Sequence, residues 1–224
     1  MLRRLLIALA ILAFAGSGNA AAQSSPANRD LLAGAELGDA DAVRRALAAG
    51  ADVNARDARR RTALIITGES GHIAVARLLL AARADVNALD DRRYDALTQA
   101  AARGDHALVE LLLGAGADVR LVTSPYDGTA LIAAAHHGHV EVVRLLLARR
   151  PNLDHVNNLG WTAAMESIVL GDGGPRHTET LRLLIAAGAN VNIADRAGVS
   201  PLAHARRRGF DAMVKLLEAA NAKP

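Results

Sequence analysis

Apolar positions along this chain recur in two alternating blocks. Val75, Leu78 and Leu79 sit three and four residues apart, the spacing that places side chains on one face of a helix. The same triplet returns as Leu108, Leu111, Leu112; Val142, Leu145, Leu146; Leu181, Leu184, Ile185; and Met213, Leu216, Leu217. Upstream of each lies another apolar block, opened by Thr62, Asp95, Thr129, Thr162 or Ser200. The side-chain oxygens of these residues can accept a free backbone N–H at a helix start. They stand 33, 34, 33 and 38 residues apart. Nine residues after each comes Gly71, Gly104, Gly138, Gly171 or Gly209, which suits the left-handed turn that closes a helix. Gly38 falls in the same register and marks a first, weaker unit, with Arg29 at the cap position and Asp30 beside it. Each unit therefore reads as helix, turn, helix and short extended finger. One such pair cannot bury its apolar face alone, so neighbouring units must stack.

The polar residues between the blocks also repeat. Thr62-Ala63-Leu64 and Thr129-Ala130-Leu131 open helices, Gly71-His72 and Gly138-His139 form turns, and Ala-Asp-Val-Asn endings close at Asn54 and Asn87. Taken in register, these motifs resemble the ankyrin repeat over residues 29–220. The resemblance implies an all-α solenoid of about six stacked helix-turn-helix units with short β-hairpin-like fingers. The repeats run over residues 29–57, 58–90, 91–127, 128–157, 158–195 and 196–220. The chain departs from the family where a histidine usually follows Thr-Pro-Leu. Ile65, Thr98, Ile132, Met165 and Ala203 stand there, so the bonds that brace the finger must be lost or supplied by other groups. The motif's proline survives only as Pro201. Arg83 and Arg150 replace the turn glycines Gly50, Gly116 and Gly188, at about 1 kcal/mol each if the backbone is left-handed there.

The N-terminus has a different pattern. Arg3 and Arg4 precede an apolar run from Leu5 to Ala15, then small residues up to Ala22. This reads as a secretory signal peptide over residues 1–22, cleaved after Ala22 or Ala20, which places the mature protein in the periplasm or outside the cell. The run is short for an uncleaved anchor, which would need about 20 residues, so stable membrane insertion is not expected after cleavage. Residues 23–28 read as a flexible leader before the repeats. There is no cysteine, which excludes disulfides and thiolate chemistry. The net charge of +3 falls to +1 once Arg3 and Arg4 are set aside. With export, that near-neutral balance argues against nucleic acid despite the cluster of Arg59, Arg60, Arg61, Arg92 and Arg93.

In a stacked array the finger tips and first-helix ends offer the binding surface. Beyond residue 22 the aromatic residues are Tyr94, Tyr126, Trp161 and Phe210, and the first three fall at finger tips. Trp, Tyr and Arg most often carry interface energy. The candidate protein-binding residues are Arg59, Arg61, Arg92, Tyr94, Arg103, Tyr126, His136, His137, Asn158 and Trp161. Two readings stay open: these aromatics bind a partner, or they pack onto neighbouring fingers. The arginines suggest a partner with an acidic patch. Repeat five carries an insertion near residues 171–177, which either adds contacts or is a tolerated length variant.

Chemistry is sparse. His136, His137 and His139 suggest a metal at first, but the adjacent His136 and His137 are expected to point in different directions, with Glu141 the nearest helper. No zinc-protease, nucleophile-elbow or phosphate-loop motif occurs. The sequence thus points to a monomeric, non-catalytic binding module without metal or cofactor. A toxin-neutralising immunity protein and an enzyme with an unrecognised site are the alternatives.

Overall fold

The structure, a computed structural model, describes residues 25–224. The signal-peptide expectation therefore lies outside the described residues. The chain forms two compact units that divide between Asp85 and Val86. The first contains α1 (Pro26–Leu37), α2 (Ala40–Ala48), α3 (Ala63–Ser70) and α4 (Ile73–Ala81). The second contains α5 (Ala96–Arg103), α6 (His106–Gly114), α7 (Ala130–His136), α8 (Val140–Leu147), α9 (Ala163–Val169), α10 (Pro175–Ala186), α11 (Pro201–Arg207) and α12 (Asp211–Ala219). Within each unit, first helices pack on first helices and second helices on second helices, the two-layer stacking of a solenoid. The class is all-α: among the described residues the fingers contain only isolated bridges, Arg56 with Thr62 and Thr123 with Gly128.

Every sequence-assigned cap forms. Thr62, Asp95, Thr129, Thr162 and Ser200 each accept a hydrogen bond from the backbone N–H three residues on. The apolar triplets fill the core between layers. Val75, Leu79, Leu108, Leu112, Leu146, Leu181, Leu184, Met213 and Leu217 are fully buried, while Leu78, Leu111 and Leu145 are half-buried at the helix edge.

The start of the fold differs from expectation. Helix α1 begins at Pro26, so residues 25–28 are its cap and first turn, not a flexible leader. Ser25 Oγ accepts from Asn28 N, and proline suits a first-turn position because the N–H it lacks would have no partner there. Asn28 is buried and its Oδ1 accepts from Asp52 N at 2.8 Å.

That contact is the first rung of a recurring bond. Asn54, Asn87, Asp154 and Asn192, at the finger ends, each accept a backbone N–H from the following repeat: Asp85, Asp118, Asn190 and Lys223. Arg120 occupies the same repeat position and has no acceptor to offer.

The finger-bracing role of the missing histidine passes to the base of each finger. Asp57 Oδ1 accepts from the backbone N–H of Arg59 and Arg61. Asp90, Asn157 and Asp195 do the same for their own fingers, and Ser124 Oγ takes the role in repeat four.

The Gly-His turns join consecutive repeats. His72 Nε2 meets Glu36 O at 3.3 Å and His139 Nε2 meets Ala102 O at 3.0 Å. In repeat five the histidine of this series is His177, which bonds His136 O at 3.0 Å and Asp172 at its other nitrogen. The insertion therefore closes into a turn that restores the register, and α10 starts at Pro175. The left-handed glycine of that turn is Gly173, not Gly171. Gly171 is required for another reason: a Cβ there would lie 2.1 Å from Ser167 O. Arg83 and Arg150 do adopt left-handed backbone, at φ 64° and 53°.

Candidate functional site

The candidate residues divide between the units. In the first, Arg59 is exposed at the finger tip. Arg61 is not a free cation. Its side chain is 12% exposed, with Nε 2.7 Å from Asp57, Nη1 2.7 Å from Glu69 and Nη2 3.4 Å from Glu36. Burial opposes its charge, but hydrogen bonds and charge from Asp57 and Glu69 outweigh that and raise its pKa. The expectation that Arg61 meets an acidic partner is therefore corrected: carboxylates of its own unit already neutralise it.

In the second unit the aromatics converge. Tyr94, Tyr126 and Trp161 line one cavity of about 500 Å³ together with His136 and His137. The walls come from successive fingers and from α5, α7 and α9, so the repeat stacking brings together residues far apart in sequence. Ile132, Leu159 and Leu170 add apolar surface. Tyr126, Leu159 and Leu170 are all exposed large apolar side chains, at 53%, 42% and 42%. Arg92 lies outside the lining with its guanidinium 5.4 Å from the Tyr94 ring centroid, a cation–π contact. Arg103 is exposed at the last turn of α5 and does not line the cavity. Asn158 serves the scaffold: its Nδ2 donates to Pro125 O and its backbone N–H to Tyr126 O, both at 2.9 Å, which fastens the Tyr126 finger.

The histidine expectation is also corrected. His136 and His137 do not diverge; their rings are 4.4 Å apart. The carboxylate beside His136 is Glu166, from the next repeat, rather than Glu141. Among the described residues no three metal-ligating side chains form a group.

Glu166 is the residue the sequence reading missed. Its side chain is 4% exposed. Oε1 accepts from Asn157 Nδ2 at 2.8 Å. Oε2 lies 3.2 Å from His136 Nδ1 but makes no hydrogen bond. Burial pushes the Glu166 pKa up to about 7, against the opposing bond from Asn157. Burial also lowers the pKa of His136 and His137, with neighbouring histidines adding to the effect. Burial in the cavity thus works against charge on all three of these groups. A signal for Glu166 does exist in the sequence. Four residues after the cap, other repeats carry Ile66, Gln99, Ala133 and His204. His204 pairs with Asp195 at the finger base, at 2.7 Å. In repeat five both partners change, to Glu166 and Asn157, which preserves a donor–acceptor pair.

A family model described as ankyrin repeats (3 copies) matches residues 31–123 and 97–195. Among curated proteins, the ankyrin repeat protein YahD of Escherichia coli (strain K12) is 40% identical over 98 residues, covering 43% of this chain and 49% of that protein. The ankyrin repeat and KH domain-containing protein mask of Drosophila melanogaster is 38% identical over 96 residues, covering 42% of this chain and 2% of its own length. The matches thus span half or less of these curated relatives. Among solved structures, an ankyrin repeat domain from Acinetobacter baumannii AYE superposes with a TM-score of 0.82 at 42% identity, over 86% of this chain and 98% of that one. Another ankyrin repeat protein superposes with a TM-score of 0.79 at 29% identity, over 84% and 96%.

Proposed function

The chain belongs to the ankyrin-repeat family, and from that premise we propose that it is a non-catalytic module that binds a partner protein through the aromatic cavity of its second unit. The observation that carries this reading is the convergence of Tyr94, Tyr126 and Trp161 on one cavity whose rim leaves Tyr126, Leu159 and Leu170 in water. Aromatic side chains used only to stiffen fingers would have buried that rim. Exposed apolar area of this kind marks interaction sites, and buried aromatic anchors usually carry their energy.

The setting we propose is the periplasm, on the strength of the charged, apolar and small-residue order of residues 1–22. Among the described residues no helix is long and apolar enough to cross a membrane. The test is affinity capture from a periplasmic extract, with residues 23–224 of the wild type beside the double variant Tyr94→Ala, Trp161→Ala. The reading requires a protein enriched by the wild type and lost with the variant. If both capture the same proteins, the cavity is not the binding face.

A further inference from the structure

Glu166 is an expensive residue for a wall that needs only packing. Burying a carboxylate costs free energy unless both oxygens find partners. Here Oε1 is served by Asn157, while Oε2 is buried without a hydrogen bond. At the same repeat position Ile66 is buried without such a cost, and His204 is matched by Asp195. Glu166 is also the only acidic or permanently basic side chain among the cavity's lining residues; the others are aromatic, aliphatic, histidine or neutral polar. An apolar, aromatic enclosure with one incompletely paired carboxylate complements a positive charge on an apolar stem: ring faces attract cations, and a carboxylate in a low-dielectric site does so more strongly than in water.

Resting on the interaction-module reading, we propose that the cavity takes a lysine or arginine side chain of the partner protein. Its stem lies against Tyr94, Tyr126 and Trp161, and its charge reaches Glu166 Oε2. His136 is the movable part. Its side chain is 42% exposed against 4% for Glu166, so it is the outer member of the pair and the one that yields to the incoming cation. The exposed Tyr126, Leu159 and Leu170 fit the apolar flanks of a peptide segment better than a free small amine, which has nothing to cover them. The partner surface this implies is basic, the reverse of the acidic patch suggested by the arginines alone.

Trp161 is the only tryptophan of the chain, so its fluorescence reports on this cavity. The probes are a capped tripeptide with lysine between two leucines, its arginine and norleucine forms, and free butylammonium, titrated into residues 23–224. Saturable change with the lysine or arginine form, at least tenfold tighter than with norleucine, is the expected result. Glu166→Gln, checked for native helicity, loses that preference for charge. His136→Ala keeps or strengthens it. Equal binding of the norleucine form, or an unchanged preference in Glu166→Gln, overturns the proposal. Butylammonium binding as tightly as the tripeptide overturns the protein side chain as occupant and leaves a small amine. The same Glu166→Gln variant, used in the capture experiment, separates the two readings. A partner lost with the aromatic double variant but retained in full by Glu166→Gln leaves the interaction module standing and sinks the cationic side chain.

Discussion

The finger of Arg59 to Arg61 in the first unit and the aromatic cavity of the second treat charge in opposite ways. In the finger, Arg61 is enclosed by Asp57, Glu69 and Glu36, and the polar groups that the fold buries are satisfied from within. In the cavity, Glu166 is enclosed by apolar and neutral groups and one of its oxygens is left without a hydrogen bond. The first arrangement stabilises a loop. The second reduces stability, since a buried carboxylate oxygen without a hydrogen bond is costly. A cluster of like charges in sequence can thus be a finished structural element, while a single carboxylate in an apolar run can be the functional one.

The two regions differ in polar satisfaction, and truncation of the core should therefore treat both units alike. Leu79→Ala in the first unit and Leu146→Ala in the second each remove a fully buried side chain. Both should cost about 2–5 kcal/mol in denaturant unfolding. A cost near zero at either would mean that unit's core is not as described.

Opposite signs are expected for the two carboxyl groups. Asp57→Ala removes the acceptor for Arg59 N, Arg61 N and Arg61 Nε and should destabilise by about 1–3 kcal/mol. Glu166→Gln should stabilise, and only at higher pH. The folded pKa of Glu166 is about 7 against an ordinary 4.5, so between these values the folded chain holds a proton that the unfolded chain has released. Its contribution to stability therefore falls as pH rises from 4.5 to 7, and the full penalty applies above 7. At pH 8 the variant should gain on the order of 1–3 kcal/mol over wild type, and at pH 4 the gap should close. His136 and His137 shift the other way, losing stability as pH falls through their ordinary 6.5, but both are present in wild type and variant. A constant gap from pH 4 to 8 would show that Glu166 does not titrate as described. The smallest effect belongs to Arg59→Ala at the exposed tip, within about 0.5 kcal/mol by thermal melting. A larger loss would mean that the charge of Arg59, and not only that of Arg61, is built into the finger.

Much of the fold was legible because each local signal had a local cause. Thr62 caps α3 through its own hydroxyl, and Leu108 and Leu112 share a helix face by spacing alone. The errors arose where a distant partner decided. Residues 25–28 read as leader by composition, yet Asn28 is tied to Asp52. Gly171 fitted the left-handed register, but the inserted loop moved that conformation to Gly173 so that His177 could reach His136 O. Of the candidate site, Tyr94, Tyr126, Trp161, His136 and His137 line the cavity, Arg92 stacks behind Tyr94, Asn158 fastens a finger and Arg61 is spent in ion pairs. Glu166 was missed because one acid among apolar residues reads as a solvated side chain until its neighbours are known.

The sequence by itself determined the repeat: its period, its caps and its apolar faces. These depend on spacing and caps within a unit and on stacking that recurs from one unit to the next, so periodicity encodes them. Only the tertiary structure decided which charges are neutralised and which residues share a cavity. The ion pair of Arg61 with Glu36 and the close approach of His136 to Glu166 join different repeats at non-equivalent positions, and the dielectric around each is set by everything packed against it.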